Sequence, residues 1–148
     1  MTLSVYLSAA SREHERALLW ADVIRSNPDL TLVSTWHDTA KNWAGNDAQL
    51  PFADQQNVAR VDLDQVRTAD LVWLLFPKLQ TCGAFVELGF ALAWSRQVIT
   101  SGRECASTIF TSLAARRFMT DAEAYREIVR MTCAQTQPMA TVLGRVSP

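Results

Sequence analysis

The chain has 148 residues, of which 49% are hydrophobic and 20% charged, a composition typical of one folded unit with its own core. Its formal net charge is -1, with acidic and basic residues interspersed, which argues against binding to a nucleic acid polymer. No signal-peptide pattern and no run of about 20 apolar residues is present, so we expect a cytoplasmic protein without a membrane span.

The first part of the chain predicts a strand, a helix and a second strand. Residues 2–8 alternate in polarity and predict a strand, whereas apolar residues recur at helical spacing over residues 12–26. An Asn-Pro-Asp sequence at residues 27–29 ends this helix, and residues 30–36 predict the second strand. Residues 37–51 contain Gly, Asn and Asp and predict a long loop, a kind of segment that is often functional.

The second part of the chain continues the alternation. Residues 55–68 predict a helix, and residues 71–76 form a continuous apolar run, as expected for a central parallel strand covered on both faces. A helix over residues 84–95, a short strand over 97–100 and a closing helix over 121–132 come next. The sheet therefore has its middle at the apolar run.

Strands that alternate with helices predict an α/β fold. We expect a single-domain flavodoxin-like (Rossmann-like) doubly wound parallel sheet flanked by helices, over residues 1–148. Neither GxGxxG nor GxxxxGK[ST] is present, which argues against classical dehydrogenases and ATPases. The three cysteines form no CxxC pair and the two histidines are not at ligand spacing, so we expect no disulfide framework, no metal and no cofactor.

Glu87 is the strongest candidate for chemistry. It comes after the central strand and a loop that contains Gly83, on a helix of mostly apolar residues, where a solvated surface charge is not expected. In open α/β sheets, ligands bind outside the carboxyl ends of the strands. An alternative interpretation is an ordinary acid near a helix N-terminus, stabilised by the helix dipole.

Further polar and aromatic residues come after the predicted strands and could line one pocket with Glu87. They are Tyr6, Ser8, Ser11 and Arg12 after the first strand, Trp36, His37 and Asp38 after the second, and Thr81 and Gly83 after the third. Asp62, before the central strand, is a second candidate carboxylate. Structural alternatives stay open, because Asp62 could cap a helix, Tyr6 could point into the core with its hydroxyl bonded to backbone, and His37–Asp38 could be a solvated loop pair.

Three patches of the sequence, at residues 5–8, 62–70 and 83–91, resemble the nucleoside 2-deoxyribosyltransferase superfamily, which includes the 2′-deoxynucleoside 5′-phosphate N-hydrolases. The patches are Val-Tyr-Leu-Ser, Asp-Leu followed by Ala-Asp and the apolar strand, and a Gly83 to Ala91 segment with a Glu-Leu-Gly-Phe-Ala core. They cover roughly the first two-thirds of the chain.

The resemblance implies that Glu87 attacks the anomeric carbon of a nucleoside or nucleotide, expels the base and forms a covalent glycosyl-enzyme. It also implies that Asp62 protonates the departing base or orients the sugar, and that Tyr6 positions the Glu87 carboxylate. Water as the acceptor would make the protein a hydrolase, which we favour, whereas a second nucleobase would make it a transferase.

Two residues indicate whether the substrate carries a 5′-phosphate. The resemblance implies that such a phosphate is bound by a hydroxyl residue six positions before the nucleophile, here Thr81, and by an arginine after the first strand, here Arg12. Ala9-Ala10 departs from the Gly-Ser of the N-hydrolases, and Ser11 is a substitute donor. A homodimer or higher homo-oligomer is also implied, with Trp94, Phe110 and Phe118 as candidate apolar contacts. A non-catalytic nucleotide sensor and a purely structural interaction module stay open as alternatives.

Overall fold

The structure, a computed structural model, describes residues 2–43, 46–78 and 81–135. The strands in these ranges are β1 (Leu3–Ser8), β2 (Leu30–Leu32), β3 (Leu71–Leu75), β4 (Gln97–Ser101) and β5 (Arg116–Phe118). The α-helices are α1 (His14–Arg25), α2 (Trp36–Ala40), α3 (Phe52–Thr68), α4 (Gly83–Ala93) and α5 (Asp121–Gln135). Short 3-10 turns cover Ser11–Glu13, Lys41–Trp43, Asp47–Gln49 and Ile109–Leu113.

The five strands form one parallel sheet in the order β2-β1-β3-β4-β5, which confirms the predicted flavodoxin-like fold class. All five residues of β3 are buried, because helices cover both faces of the sheet at its centre. Trp73 of β3 packs edge to face against Trp20 of α1 at 5.1 Å and stacks on Tyr125 of α5 at 6.5 Å. The opposite face of the sheet lies under α4.

The second strand ends at Leu32, so the prediction that it extends to residue 36 is wrong. Beyond Leu32, side chains satisfy the backbone of β1: the Leu7 amide donates to Ser34 Oγ (3.1 Å), and the Trp36 indole donates to the Leu7 carbonyl (2.8 Å). These bonds replace a strand ladder and allow Trp36 to begin α2. The predicted loop over residues 37–51 therefore contains most of α2 and two 3-10 turns, while residues 44–45 lie outside the described residues.

Two further elements differ from the sequence prediction. Helix α3 begins at Phe52, directly after Pro51, so Asp62 lies in the helix interior and its interpretation as a cap is wrong. Strand β5 has no predicted counterpart, since Arg116 and Arg117 break the apolar pattern that identifies a strand. Both arginines are exposed at the edge of the sheet, where charged side chains are common.

Candidate active site

A cavity of about 270 Å³ lies at the carboxyl ends of β1 and β3, the edge of the sheet at which ligands bind in this class of fold. Its walls come from the ends of β1 and β3, from α2 and the turns after it, and from α3 and α4. The lining residues are Ala9, Ser11, Trp36, Trp43, Asp47, Leu50, Gln55, Val58, Ala59, Asp62, Leu63, Thr81, Gly83, Ala84, Val86 and Glu87.

Two buried hydroxyl groups hold the Glu87 carboxylate. Tyr6 and Ser8 are two residues apart on β1, so their side chains project from the same face of the sheet, toward the second turn of α4. The Tyr6 hydroxyl donates to Glu87 Oε1 at 2.7 Å, and the Ser8 hydroxyl donates to Oε2. Both donors are fully buried, so the position of the carboxylate is defined by the sheet itself.

The surroundings of Glu87 disfavour its charged form. The pKa of Glu87 is raised to about 8: burial is the main cause, the hydrogen bonds from Ser8 and Tyr6 act against it, and the charges of Asp62 and Asp47 act with it. Burial, followed by the charge of Glu87, raises the pKa of Tyr6 well above its ordinary value. Tyr6 therefore stays a neutral hydroxyl that can donate to an ionised Glu87.

Asp62 is the second carboxyl group of the cavity. It lies on α3, which packs against α4, and it lines the same cavity as Glu87. Burial is the largest cause that raises the pKa of Asp62 to about 7, and the charge of Asp47 adds to it. A carboxyl group with such a pKa can hold a proton at neutral pH and donate it to a leaving group.

Asp47 is a cavity residue without a counterpart among the sequence predictions. It lies at the rim, where its Oδ1 accepts from the Trp43 indole (3.2 Å) and its Oδ2 accepts from the Ser11 hydroxyl (3.3 Å). The only signal in the sequence was the unusual length of the predicted loop over residues 37–51. No motif distinguishes Asp47 from the other polar residues of that segment.

The structure brings several of the predicted binding residues to the cavity and leaves others outside it. Ser11, Trp36, Thr81 and Gly83 line the cavity with Glu87. A side-chain carbon added at Gly83 would meet no protein atom within 4 Å, so this glycine leaves open space beside the nucleophile candidate rather than relieving a clash.

Arg12, His37 and Asp38 do not line the cavity. Arg12 is exposed in the turn before α1. His37 is fully buried with its Nε2 3.2 Å from Ser34 Oγ, and burial is the main cause that lowers its pKa. Asp38 forms an ion pair with Arg25 of α1. The prediction that these three residues contact a ligand has no support in the cavity lining, because His37 is directed toward Ser34, Asp38 toward Arg25 of α1, and Arg12 toward solvent.

Within the described ranges, no group of three or more His, Cys, Asp or Glu is arranged to hold a metal ion. None of the helices in the same ranges combines the length and the apolar character of a membrane span. The absence of a metal or cofactor in the function stays a prediction from the sequence.

Comparisons with known proteins find similarity in structure but not in sequence. No protein-family model matches the sequence, and no curated protein is similar to it in sequence. Among solved structures, the CMP N-glycosidase BcmB of Clostridium botulinum is similar with a TM-score of 0.52, at 12% identity, over 88% of this chain and 98% of that chain. The match bears out the fold that the resemblance of the three sequence patches implied.

Proposed function

We propose that the protein cleaves the N-glycosidic bond of a nucleoside or a nucleoside 5′-monophosphate and releases the free base, with Glu87 as the nucleophile. The observation that supports this most directly is the Glu87 carboxylate, held by the hydroxyls of Tyr6 and Ser8 at a cavity that also contains Asp62. The name of the structurally similar CMP N-glycosidase agrees with this chemistry.

In the first half-reaction, Glu87 attacks the anomeric carbon of the sugar as the bond to the base breaks. The pKa of about 8 means that much of the free protein holds Glu87 protonated at neutral pH, and that the ionised form is the reactive one. Positive charge develops on the sugar in the oxocarbenium-like transition state, and the ionised carboxylate stabilises this charge. The electron pair of the broken bond leaves with the base.

Asp62 supplies the proton that the departing base needs. Its pKa of about 7 and that of Glu87 of about 8 are close, so a fraction of the protein near neutral pH has Asp62 protonated and Glu87 ionised, and this is the reactive form. Two carboxyl groups in one cavity thus take the roles of acid and nucleophile, as in glycosidases that retain configuration. In the second half-reaction, Asp62 accepts a proton from water, which attacks the glycosyl-Glu87 ester and releases the sugar.

The walls of the cavity suit a flat base. Trp36 and Trp43 line it, and each uses its indole N–H on the protein, which leaves the ring as the contact for a ligand. Leu50, Val58 and Val86 add apolar surface beside them. Such a wall with few polar groups is typical of sites for small organic molecules.

The test is to incubate the protein with a panel of nucleosides and nucleoside 5′-monophosphates, with and without a second base, and to measure the released base by chromatography. Glu87→Ala should lose at least about a thousandfold in activity, because the variant lacks the carboxylate that forms the glycosyl ester. Glu15→Ala, which removes an exposed acid of α1, is the matched control and should retain full activity. Mass spectrometry of the quenched wild type should show a glycosyl adduct on Glu87.

The outcomes separate the alternatives. Release of base without an acceptor base identifies a hydrolase, whereas a new nucleoside that forms only with the second base identifies a transferase. Binding without turnover of any substrate would contradict the proposal and identify a nucleotide sensor. Equal activity of Glu87→Ala and wild type would remove Glu87 from the mechanism.

We also propose that residues 1–148 act as one domain and that the protein forms a homo-oligomer. On α4, Phe85, Val86 and Phe90 are 37%, 51% and 38% exposed, and Val61 of the adjoining α3 is 39% exposed. Of the contacts expected from the sequence, Phe110 is exposed, whereas Trp94 packs on Phe90 and Phe118 packs against the core. Sedimentation at several concentrations tests the assembly.

A further inference from the structure

The charge of the cavity is one-sided. Asp47, Asp62 and Glu87 line it, and none of the lysine, arginine and histidine side chains that the structure describes does so. A ligand that enters this cavity therefore meets carboxyl groups without a compensating cation from the described lining.

One hydroxyl of the cavity wall that could bind an anion already donates to an acid. The turn at Ser11–Glu13 precedes α1, and its serine hydroxyl is a donor at the cavity wall. This hydroxyl donates to Asp47 Oδ2 at 3.3 Å, so the acid lies where a phosphate oxygen would need the same donor. Arg12, the nearest arginine in sequence, does not line the cavity.

Building on the proposed function, we propose that the substrate is a nucleoside with an uncharged 5′ end, and that Asp47 is a specificity-determining residue that disfavours 5′-monophosphates. Asp47 accepts a hydrogen bond from a sugar hydroxyl of the substrate in addition to those from Ser11 and Trp43. A phosphate dianion in the same place would face the Asp47 carboxylate, and like charges that are juxtaposed in an interface are strongly unfavourable.

The protonation state of Glu87 also favours a free nucleoside over its 5′-monophosphate. Burial is the main cause that raises the pKa of Glu87, and the charges of Asp62 and Asp47 already act in the same direction. A bound dianion would add a further negative charge and would disfavour the ionised form that attacks the sugar. A neutral nucleoside has no such effect, so the cavity as built is better suited to the free nucleoside.

The experiment compares kcat/KM for a nucleoside and its own 5′-monophosphate, in the wild type and in Asp47→Asn. We expect the wild type to prefer the free nucleoside by at least about tenfold, and the Asp47→Asn substitution to reduce this preference by about tenfold. Asp54→Asn, which removes an exposed acid of the first turn of α3 outside the cavity lining, is the control for net charge and should leave the preference unchanged.

Binding to the Glu87→Ala variant gives a readout that does not depend on turnover. Calorimetry with the intact nucleoside and the intact 5′-monophosphate should show tighter binding of the nucleoside, and Asp47→Asn in this background should reduce the difference. A preference for the monophosphate, or a preference that Asp47→Asn does not change, overturns the inference. If nucleosides bind selectively but no base is released by the wild type, the proposed function fails while the selectivity stands.

Discussion

Two groups of acidic residues lie at the same edge of the sheet and show opposite electrostatic behaviour. In one, Glu87, Asp62 and Asp47 line a cavity without a basic residue among the described residues, and the pKa values of Glu87 and Asp62 are raised to about 8 and about 7. In the other, Asp121 at the start of α5 is paired with Arg16 of α1, and its pKa is lowered.

The hydrogen bonds of Asp121 explain the difference. Burial alone would raise the pKa of Asp121, but Arg16 donates from Nε and Nη2 at 2.9 and 2.7 Å, and Ser101 and Trp20 donate at 2.7 and 3.2 Å. Arg16 also donates to the Phe76 carbonyl, which anchors the chain after β3. An arginine thus makes one half-buried acid a structural link, whereas the acids of the cavity have no such partner among the described side chains and keep raised pKa values at Glu87 and Asp62.

The largest effect that we predict from this comparison is on activity. Asp62→Asn should lower kcat/KM about 100- to 1,000-fold, because the base then leaves without a proton from Asp62. In the wild type, kcat/KM should show a bell-shaped dependence on pH. Its limbs should lie near 7 and 8 and belong to the coupled pair Asp62 and Glu87. In the variant the alkaline limb should disappear, since no acid remains to be deprotonated.

Steady-state kinetics from about pH 5 to 10 provide the measurement. Asp64→Asn is the matched control, because Asp64 lies on the same helix but is 61% exposed and pairs with Arg67 outside the cavity. An alkaline limb that persists in Asp62→Asn would assign the general acid to another group.

In the paired cluster, the predicted effect is on stability instead. Asp121→Ala should lower the free energy of unfolding by about 3 kcal/mol at pH 7, because Arg16 is left largely buried without its partner. Because the folded state lowers the pKa of Asp121, this contribution is present at neutral pH and is lost as the pH falls through that lowered value.

Urea denaturation at pH 7 and pH 3 measures this contribution. Asp64→Ala, which breaks the exposed ion pair with Arg67, serves as the control. It should lower the free energy of unfolding by about 0.5 kcal/mol or less. The folded fraction of Asp121→Ala should still release base, since Asp121 does not line the cavity. A loss of activity without a loss of stability would contradict the assignment of a structural role.

The stability of Glu87→Gln should depend on pH in the opposite sense. A carboxyl group whose pKa is raised on folding stabilises the protein below its unfolded value of about 4.5, and this contribution is lost as the pH rises through about 8. Between pH 5 and pH 8.5, the free energy of unfolding of the wild type should therefore fall by about 4 kcal/mol relative to that of Glu87→Gln. Thermal unfolding of the wild type and of Glu87→Gln across this pH range tests the prediction, with Glu15→Gln as the exposed control. A difference in stability between the two proteins that does not change with pH would contradict the raised pKa of Glu87.

The smallest predicted effect concerns one hydrogen bond. Tyr6→Phe removes the donor to Glu87 Oε1 and keeps the buried ring, so kcat/KM at pH 7 should fall about tenfold with little change in stability. Because that hydrogen bond lowers the pKa of Glu87, the limb of the pH profile near 8 should move to higher pH. Tyr125→Phe, far from the cavity, is the control, and a pH profile that is identical in Tyr6→Phe and wild type would show that the contact is structural only.

The order of the sheet and the position of Glu87 could be predicted because each depends on local patterns. The apolar run of β3 marks the centre of the sheet, and a parallel sheet places the residues after its central strand at the ligand-binding edge. The same logic placed Tyr6, Ser8 and Thr81 at that edge, and the structure puts two of them on the Glu87 carboxylate and the third at the cavity.

The rule that residues after a strand lie at the ligand-binding edge does not hold for His37, Asp38 and Arg12. They come after predicted strands just as Thr81 does, yet they lie outside the cavity lining. The early end of β2 depends on bonds from Ser34 and Trp36 to the backbone of Leu7, about 30 residues away in the chain, and a local pattern does not contain such contacts.

The sequence by itself determined the α/β class, the central strand and the candidate nucleophile. These depend on the spacing of apolar residues and on the alternation of strands and helices along the chain, which neighbouring residues define. Only the tertiary structure decided which acids share a cavity and which pair with an arginine. Asp47 reaches the cavity through bonds to Ser11 and Trp43, and Asp121 is separated from Arg16 by 105 residues. The pKa of a buried acid depends on charges and burial in three dimensions, so the chemical character of each cluster emerges only when the chain folds.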